Sequence, residues 1–196
     1  MGRPRLISTE RLIEAARTIF LERGAAAPTA AIARHLGISE ATIYKRFGTK
    51  EALFEAAMGM PGCEFAEEWP EWAGRATPAE NLEIMGRALV AYFRELLPRV
   101  VMSCTRPGEE PWRKLRDQDN PPPARLIGAI ERYLTAEVAL GRVATRDPQT
   151  AARMLLGAAH NFAFFEVAGL SALVDRDVDG LVGALTETLW KGLEPR

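Results

Sequence analysis

The stretch that most constrains the fold of this chain runs from Thr29 to Lys50, TAAIARHLGISEATIYKRFGTK. Its first half places apolar residues on one face of a short helix, for which Thr29 is the expected N-cap. Gly37 stands where that helix ends, because glycine adopts the positive φ of a helix C-terminus without strain. Ser39 is then expected to cap a second helix that buries Ile43. A helix, a glycine-containing turn and a second, polar-faced helix form the helix-turn-helix pattern.

The spacing of the residues in this stretch is more specific than the bare pattern. The residues that carry the match are Ile32-Ala33, Gly37-Ile38-Ser39, Thr42-Ile43-Tyr44, Phe47, Lys50 and Leu53. In type and offset they resemble the DNA-binding segment of the TetR/AcrR family of bacterial transcriptional regulators. Two positions depart from that family: Ala30 replaces a larger aliphatic residue, and Gly24-Ala25 lacks the aromatic residue that often follows this glycine. Neither position faces DNA, so both departures concern packing.

The resemblance implies the fold and the assembly of the chain. It implies an all-α protein of about nine helices, in which residues 1–50 form a three-helix DNA-binding domain. Residues 51–196 would form a helical effector-binding and dimerisation domain. Members of the family dimerise through their last two long helices as a four-helix bundle, and they act as repressors that a ligand releases from a palindromic operator.

Caps, prolines and glycines divide the chain into helices. Ser8 or Thr9 is expected to begin the first helix, which ends at about Arg23. Pro98 is expected to end the long helix that begins at Thr77-Pro78. Another predicted helix begins at Lys50 and breaks at 59–62. Two more run over 124–140 and 147–169, and the last begins at Asp177 or Asp179.

The near-neutral net charge of −1 hides an asymmetry along the sequence. Residues 1–50 carry nine Lys or Arg residues against four acidic ones, whereas the rest of the chain carries sixteen against twenty-two. A basic N-terminal part attracts the DNA backbone, and an acidic remainder is repelled by it. The charge distribution therefore predicts that only the N-terminal part meets DNA.

The candidate DNA contacts have different physical roles. Ala41 and Thr42, near the N-terminus of the second helix of the motif, are expected to approach base edges. Tyr44 resembles the family tyrosine that hydrogen-bonds a phosphate. Thr29 and Lys50 begin helices, whose free N–H groups suit phosphate anchoring. The full predicted set is Arg3, Arg5, Thr29, Ser39, Ala41, Thr42, Tyr44, Lys45, Arg46 and Lys50.

Several of these positions keep two interpretations. Arg3 and Arg5 form a basic arm that suits the minor groove, or a solvated tail. Lys45 reads a base or binds a phosphate, and Arg46 binds a phosphate or is a solvated charge. Glu40 is interpreted as a partner of the positive end of its helix dipole.

An apolar effector site and a dimer interface are predicted in the C-terminal part. Aromatic and Met side chains suit an adaptable apolar pocket, although such residues at helical spacing also form ordinary core. The candidate pocket residues are Met85, Phe93, Trp112, Tyr133, Met154, Phe162 and Phe165. The last two helices are apolar over more than one face, so a second copy of the chain is expected to cover them. The candidate interface residues are Leu155, Ala158, Leu181, Leu185 and Leu189.

Other classes of function have less support in the sequence. A DNA-binding regulator without a small-molecule effector remains an alternative, and an all-helical enzyme is the other. The sequence contains no nucleophile elbow, phosphate-binding loop or HExxH motif, and its two cysteines, Cys63 and Cys104, are isolated. We therefore expect neither enzyme activity nor a metal or cofactor. With no run of 18 apolar residues and no signal-peptide core, the expected location is the cytoplasm.

Overall fold

Every regular element that the structure describes is a helix. The computed structural model describes residues 7–106, 117–173 and 177–193. Its α-helices are α1 (Thr9–Arg23), α2 (Thr29–Leu36), α3 (Glu40–Phe47), α4 (Lys50–Ala57), α5 (Pro78–Cys104), α6 (Pro122–Ala139), α7 (Pro148–Val167) and α8 (Val178–Leu193). Three short 3-10 helices lie at Glu64–Ala66, Trp69–Trp72 and Ser171–Leu173. The all-α prediction is confirmed, and none of these helices is long and apolar enough to cross a bilayer.

The chain divides into two compact units. Residues 7–60 together with 98–106 form one, which we call the head unit, and the other described residues form the body unit. The predicted boundary at residue 50 separates DNA binding from effector binding and dimerisation, and it stays a prediction.

The head unit is built on an apolar core shared by its helices. Leu12, Ala16 and Phe20 form the apolar stripe of α1 and are fully buried, as is Ile43 of α3. The ring of Phe20 meets that of Phe54 in α4 edge to face, with 5.1 Å between centroids. Since eight-residue helices are marginal in isolation, α2 and α3 depend on this core for their stability.

The turn between α2 and α3 has the predicted geometry at its glycine. Gly37 adopts the left-handed conformation at φ +66°, and its N–H donates to the Arg34 carbonyl. Ile38 N–H donates to the Ala33 carbonyl at 3.0 Å, which completes the C-terminal cap of α2. At the other end of α2 the cap prediction is wrong: Pro28 occupies the N-cap, and Thr29 is the first helical residue.

The prediction that Pro98 ends the long helix is wrong, because α5 continues through it to Cys104. Proline removes one hydrogen bond of the helix ladder and costs about 3 kcal/mol. Burial of Leu97 and Val100 on either side of Pro98 offsets that cost. The last turns of α5 belong to the head unit, where Met102 packs against the apolar core.

In the body unit, prolines and aspartates begin the helices much as predicted. Pro122 occupies the first turn of α6, two residues before the predicted start. Asp147 caps α7, where its carboxylate accepts from Thr150 N–H at 2.9 Å. Asp177, rather than Asp179, caps α8, and it accepts from Gly180 N–H at 2.8 Å.

A buried polar cluster joins α6 to the segment before α5. Glu137 is fully buried; one of its carboxylate oxygens accepts from Gly74 N–H at 3.2 Å, and the other lies 3.3 Å from Arg142 Nε. One turn earlier, Tyr133 OH accepts from Asn81 Nδ2 at 3.0 Å. Burial raises the pKa of Tyr133, so this hydroxyl keeps its proton.

Glu137→Ala is expected to lower the free energy of unfolding by about 2–3 kcal/mol, because the Gly74 N–H and the Arg142 guanidinium lose their buried acceptor. Chemical denaturation measures the change. Glu131→Ala is the matched control on the same helix, since the Glu131 side chain makes only a 3.5 Å contact with Gln149. Equal losses for the two variants would contradict a structural role for the cluster.

Candidate DNA-binding surface

Helix α3 buries one face and presents the other to solvent. Ile43 is completely buried, whereas Ala41, Tyr44 and Lys45 are exposed. Tyr44 is 43% exposed, which is high for an aromatic residue in the middle of a helix. The exposed face therefore carries a small, an aromatic and a basic side chain together, as the spacing predicts.

The N-terminal end of α3 carries a pair of hydroxyl groups. Ser39 is the N-cap residue, as predicted, but its side chain bonds no backbone N–H. Its Oγ instead lies 3.0 Å from the Oγ1 of Thr42, within hydrogen-bond distance. These exposed hydroxyls can each donate to or accept from a base edge or a phosphate.

A hydrogen-bonded chain of side chains joins α2 to α3. Thr29 is only 4% exposed, and its hydroxyl donates to Glu40 Oε2 at 2.5 Å. Tyr44 OH lies 3.1 Å from the same Thr29 oxygen. Because an ionised carboxylate only accepts, the Thr29 proton is committed to Glu40, and the Tyr44 proton is left to bond Thr29. The hydroxyl protons of both Thr29 and Tyr44 are thus engaged within the protein, whereas the contact predicted for Thr29 uses the free N–H groups at the start of its helix.

Two of the predicted cations are also engaged within the head unit. Lys50 Nζ donates to the carbonyl of Ala26 at 2.9 Å. Arg46 Nη1 donates to the carbonyl of Ile7 at 2.8 Å, so it secures the start of the described chain. Arg3 and Arg5 lie outside the described residues.

The role of Glu40 is the feature that the sequence did not reveal. Glu40 and Thr29 lie eleven residues apart on different helices, so no helical spacing connects them. The helix-dipole interpretation of Glu40 is compatible with its place in the first turn of α3, but it does not include the bond to Thr29.

The predicted pocket residues of the body unit lie mostly in its core. Met85, Phe93, Tyr133 and Phe162 are buried and Phe165 is half-buried, whereas Met154 is 54% exposed; Trp112 lies outside the described residues. A cavity of about 210 Å³ in this unit has a different lining. Its walls are Cys63, Ala66, Glu67, Asn120, Ala124, Arg125, Ala129 and Arg132.

The predicted interface residues divide into two groups. Leu155 and Leu189 are buried within the single chain, whereas Ala158, Leu181 and Leu185 are partly exposed. The outer face of α7 exposes further apolar residues, of which Met154 and Phe164 are 54% and 44% exposed.

In the head unit, α2 and α3 form a helix-turn-helix, and α3 exposes a polar face. This arrangement defines the class of helix-turn-helix DNA-binding proteins. The family described as "Bacterial regulatory proteins, tetR family" has a sequence model that matches residues 12–57, from α1 to the end of α4. The HTH-type transcriptional repressor BdcR of Escherichia coli (strain K12) is 29% identical over 157 residues, which cover 76% of this chain and 73% of that protein.

Solved structures share the fold over almost the whole chain. FadR of Bacillus subtilis, determined in complex with stearoyl-CoA, has a TM-score of 0.62 at 20% identity and covers 94% of this chain and 99% of its own. The flavonoid-responsive regulator FrrA has a TM-score of 0.54 at 26% identity and covers 94% and 96%. The N-terminal part of this chain thus matches the TetR family of bacterial regulatory proteins, and the chain as a whole shares the fold of solved TetR-family structures. It is a DNA-binding transcriptional regulator, as are the family and the relatives that it matches.

Glu40→Ala is expected to raise the affinity for duplex DNA roughly threefold to tenfold. The substitution removes a negative charge beside the predicted phosphate contacts and releases the Thr29 hydroxyl. Fluorescence anisotropy with a labelled duplex measures the effect. Glu22→Ala is the matched control, because it removes an exposed carboxylate from α1 of the same unit. If Glu40→Ala gained no more affinity than Glu22→Ala, the Glu40 carboxylate would not compete with phosphate.

Proposed function

We propose that this protein is a homodimeric repressor that binds a palindromic operator and is released from it by a small molecule. The single observation that supports the DNA-binding part most directly is the exposed face of α3, where Tyr44 and Lys45 lie opposite the buried Ile43. Residues 1–50 are assigned to DNA binding, and residues 51–196 to effector binding and dimerisation. Binding to chromosomal operators would place the protein in the cytoplasm.

The contacts to DNA separate into anchoring and reading. Tyr44, Thr29 and Lys50 anchor phosphates, which requires the first two to exchange their bond within the protein for one to DNA. Ala41 and Thr42 read base edges together with Ser39, whose hydroxyl lies against that of Thr42.

Arg46 now has a positioning role in this proposal. Its bond to the Ile7 carbonyl holds the start of the described chain against α3, and the basic arm with Arg3 and Arg5 precedes that point in the sequence. Arg46 would thereby fix the point at which the arm joins the head unit rather than contact a phosphate itself.

Dimerisation follows from how little one recognition helix can read. One short helix distinguishes a few base pairs, at about 1–3 kcal/mol each, so a regulator of useful specificity needs two half-sites. The surface proposed for the second copy is the outer face of α7 with α8, where Met154 and Phe164 expose large apolar side chains. Covering such side chains at a symmetric interface is a usual reason for their exposure in a single chain.

Regulation by a small molecule is proposed for the body unit. FrrA is named for its response to flavonoids, and FadR was solved with stearoyl-CoA, so helical bodies of this fold accommodate organic ligands. An effector that binds more tightly to a conformation with wrongly spaced DNA-binding heads would weaken operator binding by thermodynamic linkage. The alternative is a regulator with no small-molecule effector, in which DNA binding responds to no ligand.

Tyr44→Phe and Lys50→Ala are expected to weaken binding to all duplexes by similar factors, about threefold to tenfold, because phosphate contacts carry no sequence information. Thr42→Val should instead change the preferred base at its contact, at about 1–3 kcal/mol of discrimination. Selection of bound duplexes from a random pool, followed by gel-shift titration, separates the two effects. Wild-type binding by both anchoring variants would contradict the docking of α3.

Phe164→Lys is expected to weaken the dimer at least a hundredfold, since a buried unpaired charge at each copy of the interface is costly. Sedimentation velocity at micromolar concentration detects the resulting monomer. Leu140→Lys is the control, because Leu140 is 56% exposed at the end of α6, outside the two helices proposed to form the interface. A wild-type protein that is itself monomeric would refute the dimer.

A further inference from the structure

The cavity of the body unit has an unusual lining for a site expected to hold an apolar ligand. Its volume of about 210 Å³ is below the range of about 300–1,000 Å³ that is typical of pockets for drug-sized ligands. Two arginines, a glutamate and an amide supply polar groups to its walls, while three alanines leave the space open. Such a cavity selects a small and polar molecule.

The two arginines of the cavity differ in their partners. Arg125 donates to Glu67 Oε1 at 2.5 Å and lies 3.6 Å from Glu64 Oε1, so its charge is balanced. Arg132 makes no ion pair or hydrogen bond with any residue in the described parts of the chain. Because Arg125 already bonds Glu67, Arg132 is the lining arginine that has no carboxylate partner among the described residues.

The path of the Arg132 side chain depends on a glycine one turn earlier in α6. A Cβ added to Gly128 would lie 3.2 Å from Arg132 Nη1, which is tighter than an ordinary contact. The guanidinium therefore lies back along the helix, over the space that Gly128 leaves open. Arg132 is an exposed residue, and this path keeps its guanidinium beside the cavity that it lines.

The remaining polar groups complete a site for an anion with a small organic part. Asn120 offers an amide that can donate, and Cys63 is only 1% exposed. Burial raises the pKa of the Cys63 thiol, so it is a neutral wall of the cavity rather than a reactive thiolate. The alanines at 66, 124 and 129 give the organic part an apolar contact.

We propose that this cavity binds a small carboxylate, which Arg132 holds through a paired, charge-assisted hydrogen bond, and that this carboxylate is the effector. The guanidinium of Arg132 can donate to both oxygens of one carboxylate. A phosphate carries nearly two charges and would meet the carboxylates of Glu64 and Glu67 beside the site. The effector role rests on the proposed repressor function, whereas the binding site does not.

The full-length protein is tested by calorimetry with millimolar acetate, benzoate and succinate, and with the neutral benzamide as a matched probe. At least one carboxylate is expected to bind while benzamide does not, and Arg132→Gln should weaken that binding at least tenfold. Arg146→Gln, which removes an exposed arginine that does not line the cavity, should leave it unchanged.

Gly128→Ala is the second variant, because alanine favours the helix and should not unfold the protein. It should also weaken carboxylate binding, since the added methyl group displaces the guanidinium. No binding by any of the three carboxylates, or binding that Arg132→Gln leaves intact, would overturn the site.

The effector role is read separately from operator titrations with and without the bound carboxylate. A carboxylate that binds through Arg132 and lowers operator affinity supports both parts, and one that binds without changing operator affinity overturns the effector role alone. Failure of the proposed repressor function is distinguishable, because the protein would then select no operator even without a carboxylate.

Discussion

The packing of α3 against the head core is the constraint on which the DNA-binding surface depends. An eight-residue helix has little stability in isolation, so burial of Ile43 among the side chains of α1, α2 and α4 holds it in place. That same burial fixes the rotation of the helix and thereby exposes Tyr44 and Lys45. The part of the protein that reads DNA is thus oriented by a residue that never meets it.

Polar contacts then determine which side-chain groups of this surface are already hydrogen-bonded within the protein. The bonds from Thr29 to Glu40 and Tyr44 engage both hydroxyl protons within the protein, and the bond from Arg46 to Ile7 engages a guanidinium predicted to bind a phosphate or to be solvated. Preorganisation of the tyrosine lowers the entropy lost on binding, while the carboxylate opposes phosphate. The affinity of the head for DNA reflects both effects.

The body unit shows why pocket residues are difficult to predict from a helical sequence. Met85, Phe93 and Phe162 have the aromatic and Met character of a ligand site, yet they are buried, as the apolar face of any packed helix would be. Arg132 and Asn120 reach the cavity from α6 and from the segment before it, while Cys63 comes from far earlier in the chain. No periodicity links such positions, because the cavity exists only after the segments have packed.

The sequence by itself determined the class, most helix boundaries and the caps at Gly37, Ser39 and Asp147, because these depend on residues within a turn of one another. Tertiary structure decided how α5 continues through Pro98, since burial on both sides outweighs one missing backbone hydrogen bond. It also decided the partners of Thr29 and Arg46, which lie on other segments. Local free energies are encoded in neighbouring residues, whereas a side chain's partner is set by where distant segments meet.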